Sequence, residues 1–453
     1  MEKFDVVIIG AATSGSFFAR RMAELGFSVK ILESMSNENL GKRLDIIHIA
    51  SNDFDKFSLP RPKKGDDDWG FEFDGGYTIS PFNNYPKYAG GVTVGVHMHE
   101  YIVHLNRWAE EKGAQFEYGA TFTDFVFNEN KIVGVHYVVD GKSKMVSARV
   151  VVDCSGATAA LRCKLPDGYG IENNPLTAND MFYVILHYVK YSDEKNYVTQ
   201  TRGWPYYKTW EAPEADPTSA ILGVGANFSY DYAEEVYKDF VKNIPLPEHE
   251  VTRIERGVTP YTRPPYSFVA DGIIVMGDAG CLTKPMNGEG VTSSMVQMEI
   301  AVDVLKDALN NDEYVSQKKL WRINNEYNLV QGADFASMRA ILIKAVGAKK
   351  DEFEYFFKKN IIFSEKFLEA AGQGKEIKIS VGNYLHIGCG ILLGLLSGKI
   401  SRATIKSLKK GLSNGGKLKE LYLNFPQTPL GYANWKIKAD KLWAEVGSMS
   451  DNK

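Results

Sequence analysis

Hydrophobic and polar positions between Phe4 and Glu33 follow two periods in succession. Phe4 to Ile9 (FDVVII) is a β-branched run short enough for a buried parallel strand, and Gly10-Ala-Ala-Thr-Ser-Gly15 follows at once. A helical period then runs to Leu25, Gly26 ends it, and Ser28 to Leu32 (SVKIL) predicts a second strand that finishes at Glu33. From Asp66 to His97, segments rich in glycine and aromatics (WGFEFDGGYTISPF, YPKYAGGVTVGV) break the helical period and predict strands and turns. A helix is expected from Glu100 to Lys112. FTDFVFNENKIVGVHYVVDGKSKMVSARVVVD then reads as a hairpin-like meander, with Asp140-Gly141 as its turn signal. Between Ala178 and Tyr230 the chain is aromatic and alternating (MFYVILHYVKY, NYVTQTRGWPYYKTWEAP, SAILGVGANF), the pattern of an antiparallel sheet. Beyond Val304 it is helical, with basic patches such as IKSLKKGLSNGGKLKELY. The apolar run Ile387 to Leu396 is too short to span a bilayer and reads first as a buried helix, second as a membrane-touching face.

Composition narrows the classes. A chain of 453 residues exceeds what one hydrophobic core supports, so two or three lobes are expected. With 44% hydrophobic and 24% charged residues, a formal charge of −3 and dispersed basic residues, nucleic acid is excluded as the main partner. The N-terminus runs straight into a strand without a signal-peptide pattern, and Cys154, Cys163, Cys281 and Cys389 form neither a CxxC pair nor a disulfide framework. Both features point to a cytoplasmic protein. His97 and His99 are the only HxH and precede a helical pattern, which fits solvent-facing or packing roles; no metal site is assigned.

The strand, glycine turn and helix at the N-terminus carry the first candidate chemistry. In a dinucleotide fingerprint the first glycine permits the tight turn, the second admits the pyrophosphate, and the third lets helix and strand pack closely. Gly10, Ala12 and Gly15 take those positions, and Ala12 crowds the middle one with a methyl group. The diphosphate is expected against the helix N-terminus, with Glu33 accepting bonds from the ribose hydroxyls. Far downstream, Asp271-Gly-Ile-Ile-Val-Met-Gly-Asp278-Ala-Gly-Cys-Leu-Thr-Lys-Pro285-Met-Asn-Gly288-Glu-Gly290-Val reads as turn, buried strand, glycine loop and helix. A carboxylate ending such a strand binds a polyol, which makes Asp278 the expected ribityl ligand. The following helix N-terminus favours negative charge on a reduced flavin ring.

GDAGCLTKPMNGEGV resembles the second FAD motif of the geranylgeranyl reductase family, usually GDAAG, a few residues, then P-x-x-GEG-I. Val150-Val-Val-Asp-Cys-Ser-Gly156-Ala-Thr-Ala-Ala-Leu-Arg162 is similar to the family's strand leading to an "AxG…S…R" turn. The resemblance covers roughly the first three hundred residues. It implies an α/β (α+β) chain of p-hydroxybenzoate hydroxylase-like fold: a Rossmann-like FAD-binding domain, an inserted antiparallel substrate sheet and a C-terminal helical lobe. The corresponding boundaries are 1–75 with 98–170 and 265–310 for the FAD domain, 76–97 with 171–264 for the substrate domain, and 311–453 for the lobe. The implied cofactor site comprises Gly10, Ala12, Gly15, Glu33, Arg43, Gly156, Asp278, Pro285, Gly288 and Gly290.

The GEG loop belongs to the prenyl reductases, whereas hydroxylase relatives usually write His where this chain has Cys281. A reductase that passes a hydride from flavin to a carbon–carbon double bond is therefore expected. A monooxygenase is the alternative, and an electron-transfer or binding protein the third reading. Gly203-Trp204-Pro-Tyr206-Tyr207-Lys-Thr-Trp210 lies where the family carries an aromatic Tyr-x-Trp-x-Phe-Pro motif. Trp204, Trp210 and Cys281 are thus expected to line an apolar slot, with Tyr206 or Tyr207 as proton donor. Some archaeal members have a cysteine in the loop after the second strand, and Gly41-Lys42-Arg43-Leu44 holds none. Others place an arginine where this chain has Met98. The missing cysteine argues against a geranylgeranyl lipid and leaves a different, conjugated alkene compatible. The implied partners are an apolar or lipid-like small molecule and an electron donor, either a reduced pyridine nucleotide or ferredoxin. Peripheral membrane contact is compatible with the basic lobe.

Overall fold

The computed structural model describes residues 2–192, 199–204, 207–285, 287–311, 314–345, 349–361, 364–365, 368 and 381–448. Two eight-stranded sheets organise the chain. The first contains β1 (Glu2–Ile9), β2 (Val29–Glu33), β6 (Gln115–Tyr118), β7 (Thr121–Asn128), β8 (Lys131–Val139), β9 (Lys142–Asp153), β15 (Val269–Ala270) and β16 (Ile273–Val275). Its order is β15-β16-β9-β1-β2-β6, with the β7–β8 hairpin joined to β9. Strands β16, β9, β1, β2 and β6 pair in parallel. Burial on both faces explains why β1 reads as a continuous apolar run instead of an alternating one.

The second sheet is ordered β14-β10-β13-β12-β11-β4-β5-β3. Its strands are β3 (Ile46–Ala50), β4 (Trp69–Ile79), β5 (Lys87–His97), β10 (Met181–Tyr191), β11 (Thr199–Trp204), β12 (Tyr207–Pro213), β13 (Ser219–Asn227) and β14 (His249–Pro260). It is antiparallel except where β11 runs parallel to β4. The sheet draws strands from Ile46 onward, earlier than the boundary at residue 76 read from the sequence.

Helix α1 (Thr13–Glu24) connects β1 to β2, α2 (Ser51–Lys56) lies between β3 and β4 of the second sheet, and α3 (Met98–Glu111) leads from β5 to β6. One face of the second sheet is closed by α4 (Tyr230–Asn243), which buries Ala233 and Val236 against Ile185, Val224 and Ala226. The rest is helical: α5 (Val291–Asn311), α6 (Gln317–Leu320), α7 (Arg322–Tyr327), α8 (Ala333–Ala345), α9 (Lys350–Lys358), α10 (Val381–Leu396), α11 (Arg402–Leu423) and α12 (Tyr432–Val446). One apolar core runs from Val6 and Phe17 of the first sheet layer through Trp321 and Tyr327 to Trp435 and Val446 of the last helix. Most of the helical lobe is therefore an extension of the nucleotide core, with a smaller core of its own under Phe353, Phe356 and Ile400.

Candidate active site

Parallel register brings the three separated motifs to one edge. Ile9 is opposite Asp153, and Asp153 is opposite Val275, so the turns after β1, β9 and β16 leave the sheet side by side. This is the carboxyl edge of a parallel sheet, where ligand clefts of open α/β folds form. Gly10 has φ +105°, and a Cβ there would lie 2.2 Å from the Cys154 carbonyl oxygen. A Cβ on Gly15 would lie 1.9 Å from the Gly10 carbonyl oxygen, so helix α1 packs on its own turn. Ala12 is the N-cap residue of α1 in extended conformation and supplies no side-chain cap, which leaves the helix start to a ligand.

Glu33 is buried at the end of β2. Its Oε2 accepts the Ala11 N–H at 2.8 Å, and its Oε1 accepts the Met35 N–H at 2.8 Å. Oε1 also accepts the Ser34 hydroxyl at 3.2 Å, so Oε2 keeps the further acceptor direction, and the residue can clamp the turn and still receive a hydroxyl. Arg162 ties the second turn to the third: its Nε donates to the Ala279 carbonyl at 2.9 Å, while its own N–H donates to Asp153 at 2.8 Å. Arg43 is exposed in the loop after β2 and forms no hydrogen bond with these turns among the described residues.

The third turn is a short 3₁₀ segment, Gly277–Gly280. Gly277 has φ +61°, and a Cβ there would meet Ser14 Oγ at 2.6 Å, so this turn abuts the start of α1. Among the described residues no hydrogen-bond donor reaches the Asp278 carboxylate, and burial pushes its pKa up to about 6. An acceptor held in a cleft without a donor is what a polyol ligand would satisfy. A Cβ on Gly156 or Gly288 would meet nothing within 4 Å, and one on Gly290 would stand 3.4 Å from Asp278 Oδ1, so the cleft side of these turns is open. Gln297 of α5 donates to the Val275 carbonyl at 3.0 Å and so seats the helix against the end of β16. The uncapped α1, the open turns and the free carboxylate fit the two ends of a dinucleotide-type flavin.

Cys281 is buried in left-handed conformation (φ +55°), and burial pushes its thiol up to about 12. It is therefore a neutral packing residue under the turn rather than part of an open slot. The Pro285 carbonyl accepts the Tyr261 hydroxyl. Glu289 is disfavoured as an anion by its burial, yet Lys284, Thr292 and Asn287 together hold its carboxyl below the usual range.

Alternation along β12 decides which candidates face this loop. Tyr207 packs with Val224, Ala226 and Val236 on the face covered by α4, and Lys350 stands over its ring at 5.3 Å. It therefore points away from the loop, which corrects its expected role as proton donor. Tyr206 lies outside the described residues. Trp204 pairs with Tyr207 in backbone register at the end of the β11–β12 hairpin. Lys208 and Trp210 occupy the opposite face, and Lys208 Nζ donates to the Asn287 carbonyl at 3.3 Å. Burial lowers the Lys208 pKa, with Glu289 opposing. Gly223 and Gly225 of β13 have no side chains because rings lie on them: their Cβ atoms would stand 2.0 Å from Trp210 and 2.2 Å from Phe182. Phe182 lies in turn tilted against Tyr261, at 4.8 Å between centroids. An aromatic floor thus faces the loop at 281–290.

No family model matches the chain. Along nearly its whole length it is similar to a digeranylgeranylglycerophospholipid reductase of Sulfolobus acidocaldarius, 24% identical over 455 residues that cover 98% of each chain. Among solved structures, a geranylgeranyl bacteriochlorophyll reductase-like protein of Thermoplasma acidophilum superposes with a TM-score of 0.69 at 16% identity, over 91% of this chain and 100% of that one. Both likenesses are to reductases of geranylgeranyl-type substrates.

A flavin-dependent brominase shares the fold at a TM-score of 0.56 and 17% identity, over 86% of this chain and 99% of that one. The fold is thus one that flavin-dependent enzymes share. Lys208 precedes Trp210 by two residues, on the same face of β12. Sequence reasoning quoted this segment and missed Lys208. The signal was the paired glycines of ILGVGANF, which mark the strand face that the rings of Trp210 and Phe182 cover.

Proposed function

We propose that this protein is an FAD-dependent reductase that adds two hydrogens across a carbon–carbon double bond of an apolar, prenyl-like or conjugated substrate, acting in the cytoplasm. The observation that carries the reading is the contact of Lys208 with the Asn287 carbonyl, which sets the aromatic floor of the second sheet against the prenyl-reductase GEG loop. The lipid reductases among its relatives support the substrate class. In this reading Gly10, Ala12, Gly15 and Glu33 hold the adenosine diphosphate end. Asp278 binds the ribityl chain, and Gly156, Pro285, Gly288 and Gly290 line the ring. Bound there, reduced FAD supplies the hydride.

The remaining requirements fall on the chain. Trp210 and Phe182 would line the slot that orients the alkene for hydride transfer. The second hydrogen arrives as a proton, because an alkene without a conjugated carbonyl cannot store the charge. Lys208 is the group placed to deliver or orient that proton, since burial lowers its pKa and makes it a better acid than an exposed lysine. A reduced pyridine nucleotide or ferredoxin would be the external electron donor.

The test is anaerobic. Flavin reduced with dithionite, NADPH or reduced ferredoxin in separate arms should be reoxidised by a prenyl alcohol, and mass spectrometry should find a product heavier by two hydrogens. A product that gains oxygen, or reoxidation only in air, moves the protein to the monooxygenase reading. Lys208→Met should retain flavin yet slow anaerobic reoxidation by about 10²-fold, the usual scale of a lost proton-transfer group. In the parent, that rate should fall as pH rises through the lowered lysine pKa, and the variant should lose this limb of the profile.

A further inference from the structure

We propose that the corner formed by the end of α10 and the start of α11 is a docking surface for an anionic lipid bilayer. No helix among the described residues is long and apolar enough to cross a membrane, so the contact is peripheral. Helix α10 turns Ile387, Gly390, Ile391 and Gly394 inward, onto Ile361, Tyr355 and Ile400. Its other face carries Leu392 and Leu393 at 57% exposure and Leu396 at 78%. Isolated exposed leucines are ordinary, but three on one face of a helix without an acidic or basic charge form a patch.

Charge identifies the occupant. No Asp or Glu occurs from Val381 to Lys419, whereas Lys399, Arg402, Lys406, Lys409 and Lys410 follow Leu396 within about four helical turns. All five are exposed and form no ion pair among the described residues. Lys399 and Arg402 are within a few residues of Leu396, so the chain itself holds basic side chains beside the apolar apex. A second copy of the same corner would bring like charges together around the leucines. A negatively charged interface satisfies both halves at once: the leucines enter the headgroup boundary and the basic groups stay at lipid phosphates. The docking is independent of the redox assignment, because no residue of the flavin cleft takes part.

The full-length protein with its flavin should co-sediment with phosphatidylglycerol vesicles and much less with phosphatidylcholine vesicles. Raising salt from 50 to 500 mM should weaken the binding severalfold as the charges are screened. The double variant Leu393→Glu/Leu396→Glu should lower partitioning by at least about tenfold, since two apolar side chains lose burial and two negative charges are added. The triple variant Lys399→Gln/Arg402→Gln/Lys406→Gln should lower it in low salt and abolish the salt dependence. All the changed side chains are exposed, and unchanged flavin absorbance and circular dichroism would confirm that each variant folds. Equal binding to both vesicle types, or variants that bind as the parent does, would overturn the proposal. So would a parent dimer in sedimentation velocity that Leu396→Glu converts to monomer, because the leucines would then be a protein interface.

Discussion

Asp278 concentrates the energetics of the cleft in one group. With no donor at its carboxylate, its folded pKa stands near 6, above the ordinary aspartate value of 3.8. The folded apoprotein therefore binds a proton that the unfolded chain releases between those two values. Stability of the apoprotein should fall as pH rises through that window and level off above about 6. A polyol hydroxyl donating to the carboxylate favours the ionised form, so the flavin should bind more tightly as pH rises towards 7 and be released as pH drops below about 6. Fluorescence of released flavin across pH 4.5–7.5 checks this. Asp278→Asn should flatten the dependence and weaken retention by about 1.5–3 kcal/mol, the cost of a charge-assisted bond. A variant with the parent's affinity and pH profile would reduce Asp278 to a turn residue. The carboxylate was legible in the sequence because it ends a short apolar run before glycines. Lys208 was not, because a lysine between aromatics reads as a solvated side chain until the two-residue period of β12 places it on Trp210's face.

At the level of elements, the motifs work because strand register aligns the turns that follow β1, β9 and β16. Each of those strands is an apolar run that sequence periodicity finds, whereas their adjacency depends on pairings between residues far apart in the chain. The sequence thus located the turns, and resemblance to relatives supplied their order. Tyr207 and Trp210 differ in the same way: an odd offset in β12 sends them to opposite faces, a distinction that an uncertain register hides. The junction of β1 and α1 admits a test of how tightly the turn is built. Gly15→Ala places a methyl carbon 1.9 Å from a backbone oxygen, which no side-chain rotation relieves. The helix start must shift, at a cost of about 1–3 kcal/mol, and the diphosphate site shifts with it. The variant should lose flavin on gel filtration while keeping its far-ultraviolet circular dichroism. Full retention of flavin would show that α1 does not form the nucleotide-binding end.

At the level of the whole molecule, the helical lobe has two attachments of different kinds. Trp435 of α12 packs edge-on to Tyr266, Tyr422 and Phe425 within the core that also holds β1 and α1. Phe356 of α9 belongs to the smaller core with Phe353, Tyr355 and Ile400. Helix α11 spans both: Ile405 and Leu408 near its start pack on the small core, and Leu418 and Tyr422 near its end are in the large one. Its middle crosses α8 closely, where a Cβ on Gly415 would lie 3.0 Å from Ser337. Removing a large side chain from either core costs about 3–5 kcal/mol, but the consequences should differ. Trp435→Ala weakens the unit that positions the flavin turns, so flavin release and loss of helix should move to lower temperature together. Phe356→Ala should loosen the α9–α11 corner and reduce vesicle binding while flavin release stays at the parent's temperature. Differential scanning calorimetry alongside flavin fluorescence separates the two cases. If Phe356→Ala shifts flavin release as far as Trp435→Ala does, the two cores unfold as one cooperative unit, and the corner is coupled to the active site.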